Sequence, residues 1–162
     1  MSLVLDQLIT SSTRHQNDKD TLRQIATDFS VETGDSQLVY IHGDCNFSNV
    51  LVRSEQNNQQ GAYLIDFEAV SLAEPAYELG MLLAVNRIDI KHLVRCLHLY
   101  HSNVSICADK VTRYSVISCI INGLWYEQQA LLNQVDSYQI KAVQQFEFMN
   151  SLIEPKYMLT FK

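Results

Sequence analysis

The segment from residue 109 to 132 constrains the fold most, because its apolar side chains cover nearly the whole circumference of a helix. These side chains are Val111, Tyr114, Val116, Ile117, Ile120, Ile121, Leu124 and Trp125. A helix with so little polar surface has to be covered on most sides by other elements. The sequence therefore predicts a central, buried helix with further helices packed around it.

Amphipathic patterns predict helices on the N-terminal side of this segment. Residues 18–33 place apolar side chains on one face, with Asp18 or Asp20 available to cap the start and Gly34 to stop the helix. Residues 1–14 show a weaker helical pattern. We expect both stretches to pack against the central helix.

The chain is predicted to be helical from Pro75 to its end. Proline suits a first helical position, and the last helix is expected to begin at Asp136 or Ser137 and to close before Pro155. The side chains expected to face inward in these two helices are Leu79, Leu82, Leu83, Ile140, Val143, Phe146 and Met149.

Between the two helical regions the pattern changes to short runs that are typical of strands. The stretches "QLVYI" and "NVLV" and the later "AYLID" are rich in β-forming residues, and the polar "SEQNNQQG" reads as the turn between the last two. The predicted fold class is therefore α+β and mostly helical, with a small β-hairpin insert.

A polar loop between two of these strands, in "YIHGDCNFSNVLV", carries His42, Asp44 and Asn49 in the order H-x-D-x-x-x-x-N. Asp66 ends a hydrophobic strand 17 residues after Asn49, which is the length a hairpin needs to run out and back. Asn49 and Asp66 can then meet at the base of the hairpin, where their oxygens suit Mg²⁺. Asp44 would lie beside them and face an incoming hydroxyl, which is the layout of phosphoryl transfer.

Each of these residues taken alone has a structural alternative. His42 could be a buried, hydrogen-bonded histidine, and Asp44 could form a turn after Gly43. Asn49 could be a capping side chain, and Asp66 could end a strand. Their order, their spacing and the flanking strands together favour the phosphoryl-transfer interpretation.

Residues 38 to 83 resemble the C-terminal lobe of the aminoglycoside phosphotransferase and choline kinase-like family, whose members are relatives of the protein kinases. "HGDCNFSN" is similar to the catalytic loop of that family, and "LIDFEAVSLAEPAYEL" to its metal-binding segment and the helix that follows. The later "NGLWYEQQ" looks like a late helix of the choline and thiamine kinase branches. The resemblance implies that Asp44 is the catalytic base and that Asn49 and Asp66 bind Mg²⁺. We expect His42 to orient the loop.

The resemblance has two departures. Glu78 stands where an aspartate is usual, and the sequence has neither a glycine-rich loop before residue 38 nor a Val-Ala-x-Lys strand. We therefore expect residues 1–162 to form a single domain, the substrate-side lobe, without the N-terminal nucleotide lobe. Such a chain would use ATP only if that lobe were supplied, and could self-associate through the exposed inter-lobe face. The alternative is a non-catalytic remnant lobe that acts as a binding or interaction module.

Acidic residues near the loop favour a cationic acceptor: an amino alcohol, a thiamine-like compound or an aminoglycoside. The net charge is −6, Glu74 and Glu78 share one face of the predicted helix, and Glu68 follows Asp66 by two residues. If that segment is extended, Glu68 faces the same side as Asp66. Trp125 could contact the cation through its ring. The alternatives are a solvated Glu68 and a Trp125 that belongs to the core.

Several function classes are excluded by composition. Lysine and arginine are scattered singly, so no basic stripe for nucleic acid exists. No apolar run is long enough to cross a bilayer and no signal peptide opens the sequence, so a cytoplasmic protein is predicted. The four cysteines lack metal-ligand spacing. Cys96, Cys107 and Cys119 are expected to be buried thiols, and Cys45 a packing residue.

Overall fold

The computed structural model describes residues 3–32, 37–54, 60–99, 106–157 and 159. Within them the chain forms six α-helices and four short β-strands. In chain order these are α1 (Leu3–Ser11), α2 (Gln16–Asp28), β1 (Val39–Ile41), β2 (Val50–Ser54), β3 (Gln60–Leu64), β4 (Ser71–Ala73), α3 (Pro75–Asn86), α4 (Leu93–Leu99), α5 (Ala108–Asn133) and α6 (Asp136–Leu152). The predicted α+β, mostly helical fold class is confirmed.

Helix α5 lies at the centre of the molecule, as its apolar circumference predicted. It contacts α1, α2, α3, α4 and α6. The main core gathers around it and consists of Leu5, Ile9, Leu22, Ile25, Ala26, Ala84, Val116, Cys119, Ile120, Leu124, Phe146, Met149 and Leu159. The C-terminal end of α5 leaves the core, since Leu131 and Leu132 are exposed.

The N-terminal helices differ from the prediction at their ends. Helix α2 begins after His15 as N-cap, so Asp18 and Asp20 lie inside the helix and neither caps it. It ends at Asp28, with Phe29 as its C-cap, and the backbone N–H of Phe29 makes the last helical hydrogen bond, to Ile25. Gly34, the predicted stop, lies outside the described residues.

The C-terminal region is broken into separate helices rather than one helical run. Helix α3 starts at Pro75 as predicted and stops where Arg87 takes a left-handed conformation, and α6 starts at Asp136. The prediction that Ile140 of α6 faces inward was wrong, because this side chain is exposed. The buried side chains of α6 are Ala142, Gln145, Phe146 and Met149, whose spacing of three and four residues defines one helical face.

The strands form two separate antiparallel pairs. The predicted hairpin is β2–β3, with Val50 opposite Leu64 and Val52 opposite Ala62, and its turn at residues 55–59 lies outside the description. The second pair joins β1 to β4, which was not predicted because a run of three residues carries no readable alternation. The polar loop connects β1 to β2 and therefore runs from one pair to the other.

The cysteines are all free and only partly follow the prediction. Cys119 is buried in the core, Cys96 is half-buried, and Cys107 is exposed because it precedes α5 as its N-cap. No helix in the described part of the chain is long and apolar enough to cross a membrane.

Candidate active site

His42 ties the polar loop to the segment that carries Asp66. Its buried ring accepts the backbone N–H of Asp44 at Nδ1 (3.2 Å) and lies 2.9 Å from the carbonyl oxygen of Ile65 at Nε2. Since Nδ1 is an acceptor, Nε2 carries the proton and donates to Ile65. The ring also packs against Phe67, with centroids 4.7 Å apart. This position fits the orienting role predicted for His42.

Glu78 holds the start of the loop from helix α3. Its oxygens accept the backbone N–H groups of His42 and Gly43, each at 3.1 Å, and the Cys45 thiol at 2.8 Å. Only 8% of Glu78 is exposed. Because this carboxylate is occupied by the loop, its geometry favours a positioning role over the predicted contact with a substrate.

Glu74 and Glu78, which were expected to form an acidic face for a cation, therefore both bind groups within the protein. Both oxygens of Glu74 lie within 3.0 Å of the Lys110 ammonium, and Glu74 is buried. A buried carboxylate needs such a partner, whereas the sequence pattern shows only that the two residues share a face.

The structure brings Asp44 and Asn49 together across the loop. The side-chain amide of Asn49 donates to Asp44 Oδ2 at 3.0 Å and to the Asp44 carbonyl oxygen at 3.1 Å. The remaining oxygen of each side chain receives no hydrogen bond from the described residues. These oxygens are Oδ1 of Asp44 and Oδ1 of Asn49. These two oxygens are therefore available for groups from outside the protein.

Asp66 emerges from the same end of the β2–β3 hairpin as Asn49. The backbone N–H of Ile65 donates to the Asn49 carbonyl at 3.0 Å, which extends the ladder one step beyond Val50 and Leu64. Asp66 follows in a left-handed conformation (φ 65°, ψ 66°), and its side chain is exposed with no capping bond. A non-glycine residue rarely adopts this conformation, and such strain is concentrated at functional sites.

Glu68 does not follow Asp66 on an extended segment. Phe67–Ala69 form a turn of 3₁₀-helix, so the two-residue alternation behind the prediction does not apply there. Glu68 is exposed.

The oxygens at this end of the hairpin fit Mg²⁺ in their chemistry. The Asp66 carboxylate and the Asn49 amide oxygen are hard ligands without competing partners among the described residues. In that same part of the chain no three His, Cys, Asp or Glu side chains gather into a metal site. An ion that depends on few protein oxygens and on substrate phosphates is typical of Mg²⁺.

Trp125 belongs to a half-exposed aromatic cluster that the sequence did not reveal. Its ring contacts Tyr126 and Tyr138, with centroids 5.2 and 6.1 Å away, and 45% of Trp125 is exposed. Burial raises the pKa of Tyr126, and the Asp44 carboxylate adds to this rise against the opposing charge of Arg87. Tyr126 therefore lies within electrostatic reach of Asp44. Tyr138 comes from another helix, so only the folded chain assembles the cluster.

Residues 5–103, more than half of the chain, match the phosphotransferase enzyme family. This chain belongs to that family. The matched part of this phosphotransferase-family chain includes the loop, Asp66 and helix α3. It begins well before residue 38, where the sequence motifs start. No curated protein sequence matches the chain.

Solved structures similar to this phosphotransferase-family chain share its fold at low sequence identity. A choline/ethanolamine kinase family protein from Mesorhizobium loti superimposes with a TM-score of 0.69 and 19% identity, covering 94% of this chain and 53% of its own. Choline kinase LicA from Streptococcus pneumoniae gives 0.61 and 18%, covering 91% and 52%. A structure of LicA in complex with AMP gives 0.61 and 16%, covering 92% and 54%. The chain thus spans about half the length of these proteins.

Proposed function

We propose that this chain is the substrate-side half of an ATP-dependent phosphotransferase that acts on a hydroxyl group of a small molecule. The observation that carries the proposal is the Asn49 amide bound to Asp44 at the end of the hairpin from which Asp66 also emerges. Family membership supports the same reaction class.

Asp44 is assigned to the acceptor hydroxyl. Asn49 holds one carboxylate oxygen of Asp44, which leaves Oδ1 to accept the hydrogen bond of a hydroxyl and orient it towards a phosphorus atom. Asn49 Oδ1 and the Asp66 carboxylate are assigned to Mg²⁺. When bound, this ion would supply positive charge that neutralises phosphate oxygens.

ATP is the proposed phosphoryl donor, and the AMP bound to the structurally similar LicA supports a nucleotide. The chain itself has no glycine-rich loop before residue 38 to cover the phosphates. Apolar side chains on the strands and on the turn after Asp66 are exposed, among them Tyr40 (80%), Val52 (71%) and Phe67 (58%). We assign this surface to contact with a nucleotide-binding half, and to self-association when that half is missing.

The proposed acceptor is a cationic alcohol. The Lys141 ammonium lies 5.5 Å from the Tyr126 ring centroid and 5.7 Å from that of Tyr138, so the aromatic cluster already faces a cation. Within the cluster, the Tyr126 side chain is within electrostatic reach of Asp44, where the hydroxyl would be placed. The similar solved structures include choline and choline/ethanolamine kinases, which supports an amino alcohol.

Trp125 is the single tryptophan of the chain, so its fluorescence reports on acceptor binding directly. Titration with choline, ethanolamine, thiamine, an aminoglycoside and a neutral sugar should change the emission only with the cations. Tyr126→Leu should weaken that response, with Tyr63→Leu, on strand β3, as control. A response to sugars alone would contradict a cationic acceptor.

The metal assignment is tested separately with Mn²⁺ in place of Mg²⁺. Electron paramagnetic resonance titration should detect binding to the wild type that Asp66→Asn weakens. Equal binding by the two proteins would remove Asp66 from the metal site.

We expect no useful phosphoryl transfer by this chain alone. Its sequence has neither the glycine-rich loop nor the Val-Ala-x-Lys strand that would bind the phosphates on the side opposite Asn49 and Asp66. An ATP-consumption assay with the same acceptors checks this expectation. Robust turnover that Asp44→Ala abolishes would contradict it. If the chain instead binds cations but no metal, the remnant binding module becomes the better description.

A further inference from the structure

We propose that Asn86 is a positioning residue that holds the arc of the loop between Asp44 and Asn49. The inference rests on the proposed function, because it assigns to Asn86 the task of keeping those two side chains in register for phosphoryl transfer. Asn86 lies at the last position of α3, and no feature of the sequence motif points to it.

The side-chain amide of Asn86 makes three hydrogen bonds, and two of them go to the loop. Its Oδ1 accepts the backbone N–H of Phe47 at 2.8 Å, and its Nδ2 donates to the carbonyl of Cys45 at 2.9 Å. The second hydrogen of Nδ2 goes to the carbonyl of Leu82, also at 2.9 Å. Asn86 therefore binds the backbone on both sides of Asn46.

Apart from the Cys45 thiol, which donates to Glu78, the other hydrogen bonds within this arc in the described structure are local. Asn46 N–H donates to the Asp44 carbonyl, Asn49 N–H to the Asn46 carbonyl, and Ser48 N–H to the Asn46 side chain. Local bonds shape a turn, but they do not fix it relative to the rest of the protein. Asn86 supplies that link for the middle of the arc.

Helix α3 thus holds the loop at two points. Glu78 binds the start of the loop, and Asn86 follows eight residues later, about 12 Å along the helix axis. Asparagine suits the second point because its amide presents a donor and an acceptor at once, like a peptide group. An aspartate would keep the acceptor for Phe47 and lose the donor for Cys45.

The chain contains a matched control in Asn133. This residue also ends its helix, its Nδ2 also donates to the carbonyl four residues earlier, and a left-handed residue, Gln134, also follows it. Its other hydrogen bond in the described structure goes to the side chain of Gln129 rather than to the loop. Asn86→Leu and Asn133→Leu therefore remove the same helix-end bond, and only the first removes contacts with the loop.

Amide hydrogen exchange by NMR tests the hold on the loop. We expect the Phe47 amide to exchange about tenfold faster in Asn86→Leu than in the wild type, which corresponds to one lost hydrogen bond of about 1.4 kcal/mol. Asn133→Leu should leave Phe47 unchanged. Asn86→Asp should keep most of the Phe47 protection, and it serves as the readout if Asn86→Leu folds poorly. Unchanged Phe47 exchange in Asn86→Leu, or the same acceleration in Asn133→Leu, would overturn the proposal.

Mn²⁺ titration tests whether the contacts of Asn86 with the loop support the metal site. A purely structural role of Asn86 would leave Mn²⁺ binding unchanged. Asn86→Leu should weaken Mn²⁺ binding about tenfold with Asn133→Leu unchanged, in line with the cost of losing supporting contacts around metal ligands. If Asp66→Asn abolishes Mn²⁺ binding and Asn86→Leu does not weaken it, the role of Asn86 is overturned and the metal site stands. If Asp66→Asn has no effect, the metal site of the proposed function fails, and with it the claim that Asn86 supports that site.

Discussion

At the scale of single residues, the loop depends on two positions, Gly43 and Cys45, whose surroundings restrict which residue type can occupy them. Gly43 has a φ of +79°, which L-residues other than glycine rarely adopt, and the backbone of Ala69 packs directly against it. Two residues later, the Cys45 thiol donates to Glu78. Both residues flank Asp44, so small changes at either one act on the proposed catalytic carboxylate.

Gly43→Ala should lower the free energy of unfolding by about 1–3 kcal/mol from backbone strain alone. The added Cβ would also lie 2.2 Å from the Ala69 carbonyl oxygen, which forces the loop to move. Gly61→Ala is the control, because its Cβ would meet only the ring of Tyr63, at 3.1 Å. Urea denaturation of both variants measures the difference. Equal losses would show that the close approach at Gly43 is not needed.

Cys45 should react slowly with alkylating reagents. Burial, the hydrogen bond to Glu78 and the charges of Glu78 and Asp44 raise the pKa of Cys45 from 9.0 to about 12, so little reactive thiolate exists at pH 8. Exposed Cys107 should be modified by iodoacetamide first, as mass spectrometry of timed samples would show. Faster modification of Cys45 than of Cys107 would contradict this assignment.

The same pKa shift predicts a loss of stability at alkaline pH. Below pH 9 the thiol is protonated in both the folded and the unfolded chain, so the stabilising contribution is fully present. As the pH rises from 9 towards 12, the unfolded chain releases a proton that the folded chain retains, so stability falls. Cys45→Ser should reduce the slope of unfolding free energy against pH in this range. An unchanged slope would assign the alkaline loss to other groups.

At the scale of elements, α3 determines where the loop lies. Its first turn carries Glu78 and its last residue is Asn86, and both bind the loop backbone. The helix packs against α5 at Gly80, where a side chain would meet the α5 backbone. The close contact of these two helices therefore sets the position of the loop relative to the core.

Gly80→Ala should separate α3 from α5 and shift the loop. The new Cβ would lie 2.5 Å from Tyr114 Cβ and 2.9 Å from the Val111 carbonyl, and overpacking of this kind costs about 1–3 kcal/mol. The gain in helix propensity, about 1 kcal/mol, offsets only part of that cost.

Thermal unfolding and amide shifts of His42 and Gly43 measure the two effects of Gly80→Ala. Gly123→Ala is the comparison, because its Cβ would press on the Phe146 ring of α6. It should lower stability and leave the two loop amides in place. Loop shifts of equal size in both variants would contradict the assignment to α3.

At the scale of the whole molecule, an ion pair joins the N-terminal helices to the core. Arg14, in the connection between α1 and α2, binds Glu127 of α5 through two nitrogens, and their side chains are only 10% and 14% exposed. The guanidinium also lies 4.2 Å from the centroid of the Phe146 ring. Burial raises the pKa of Glu127, while Arg14 opposes that rise.

Arg14→Met should lower the free energy of unfolding by about 3 kcal/mol, since it leaves the largely buried Glu127 carboxylate without this partner. The double variant Arg14→Met with Glu127→Leu should recover most of the loss, because an apolar pair of similar size avoids the uncompensated charge. Urea denaturation measures both proteins. A double variant as unstable as Arg14→Met would show that the arginine acts through its packing on Phe146 instead.

Local patterns in the sequence were enough to predict the central helix α5, the β2–β3 hairpin and the polar loop that precedes the hairpin. Each of these follows from residues close in the chain, where helical or strand periodicity determines which side chains share a face. Only the tertiary structure decided the partners of Glu78, Asn86 and Tyr126. Glu78 binds backbone N–H groups 35 and 36 residues away, and Asn86 binds groups 39 and 41 residues away. Periodicity reports that a polar side chain shares a face with others, but whether it meets solvent, a substrate or a buried peptide group depends on which distant segment packs over it.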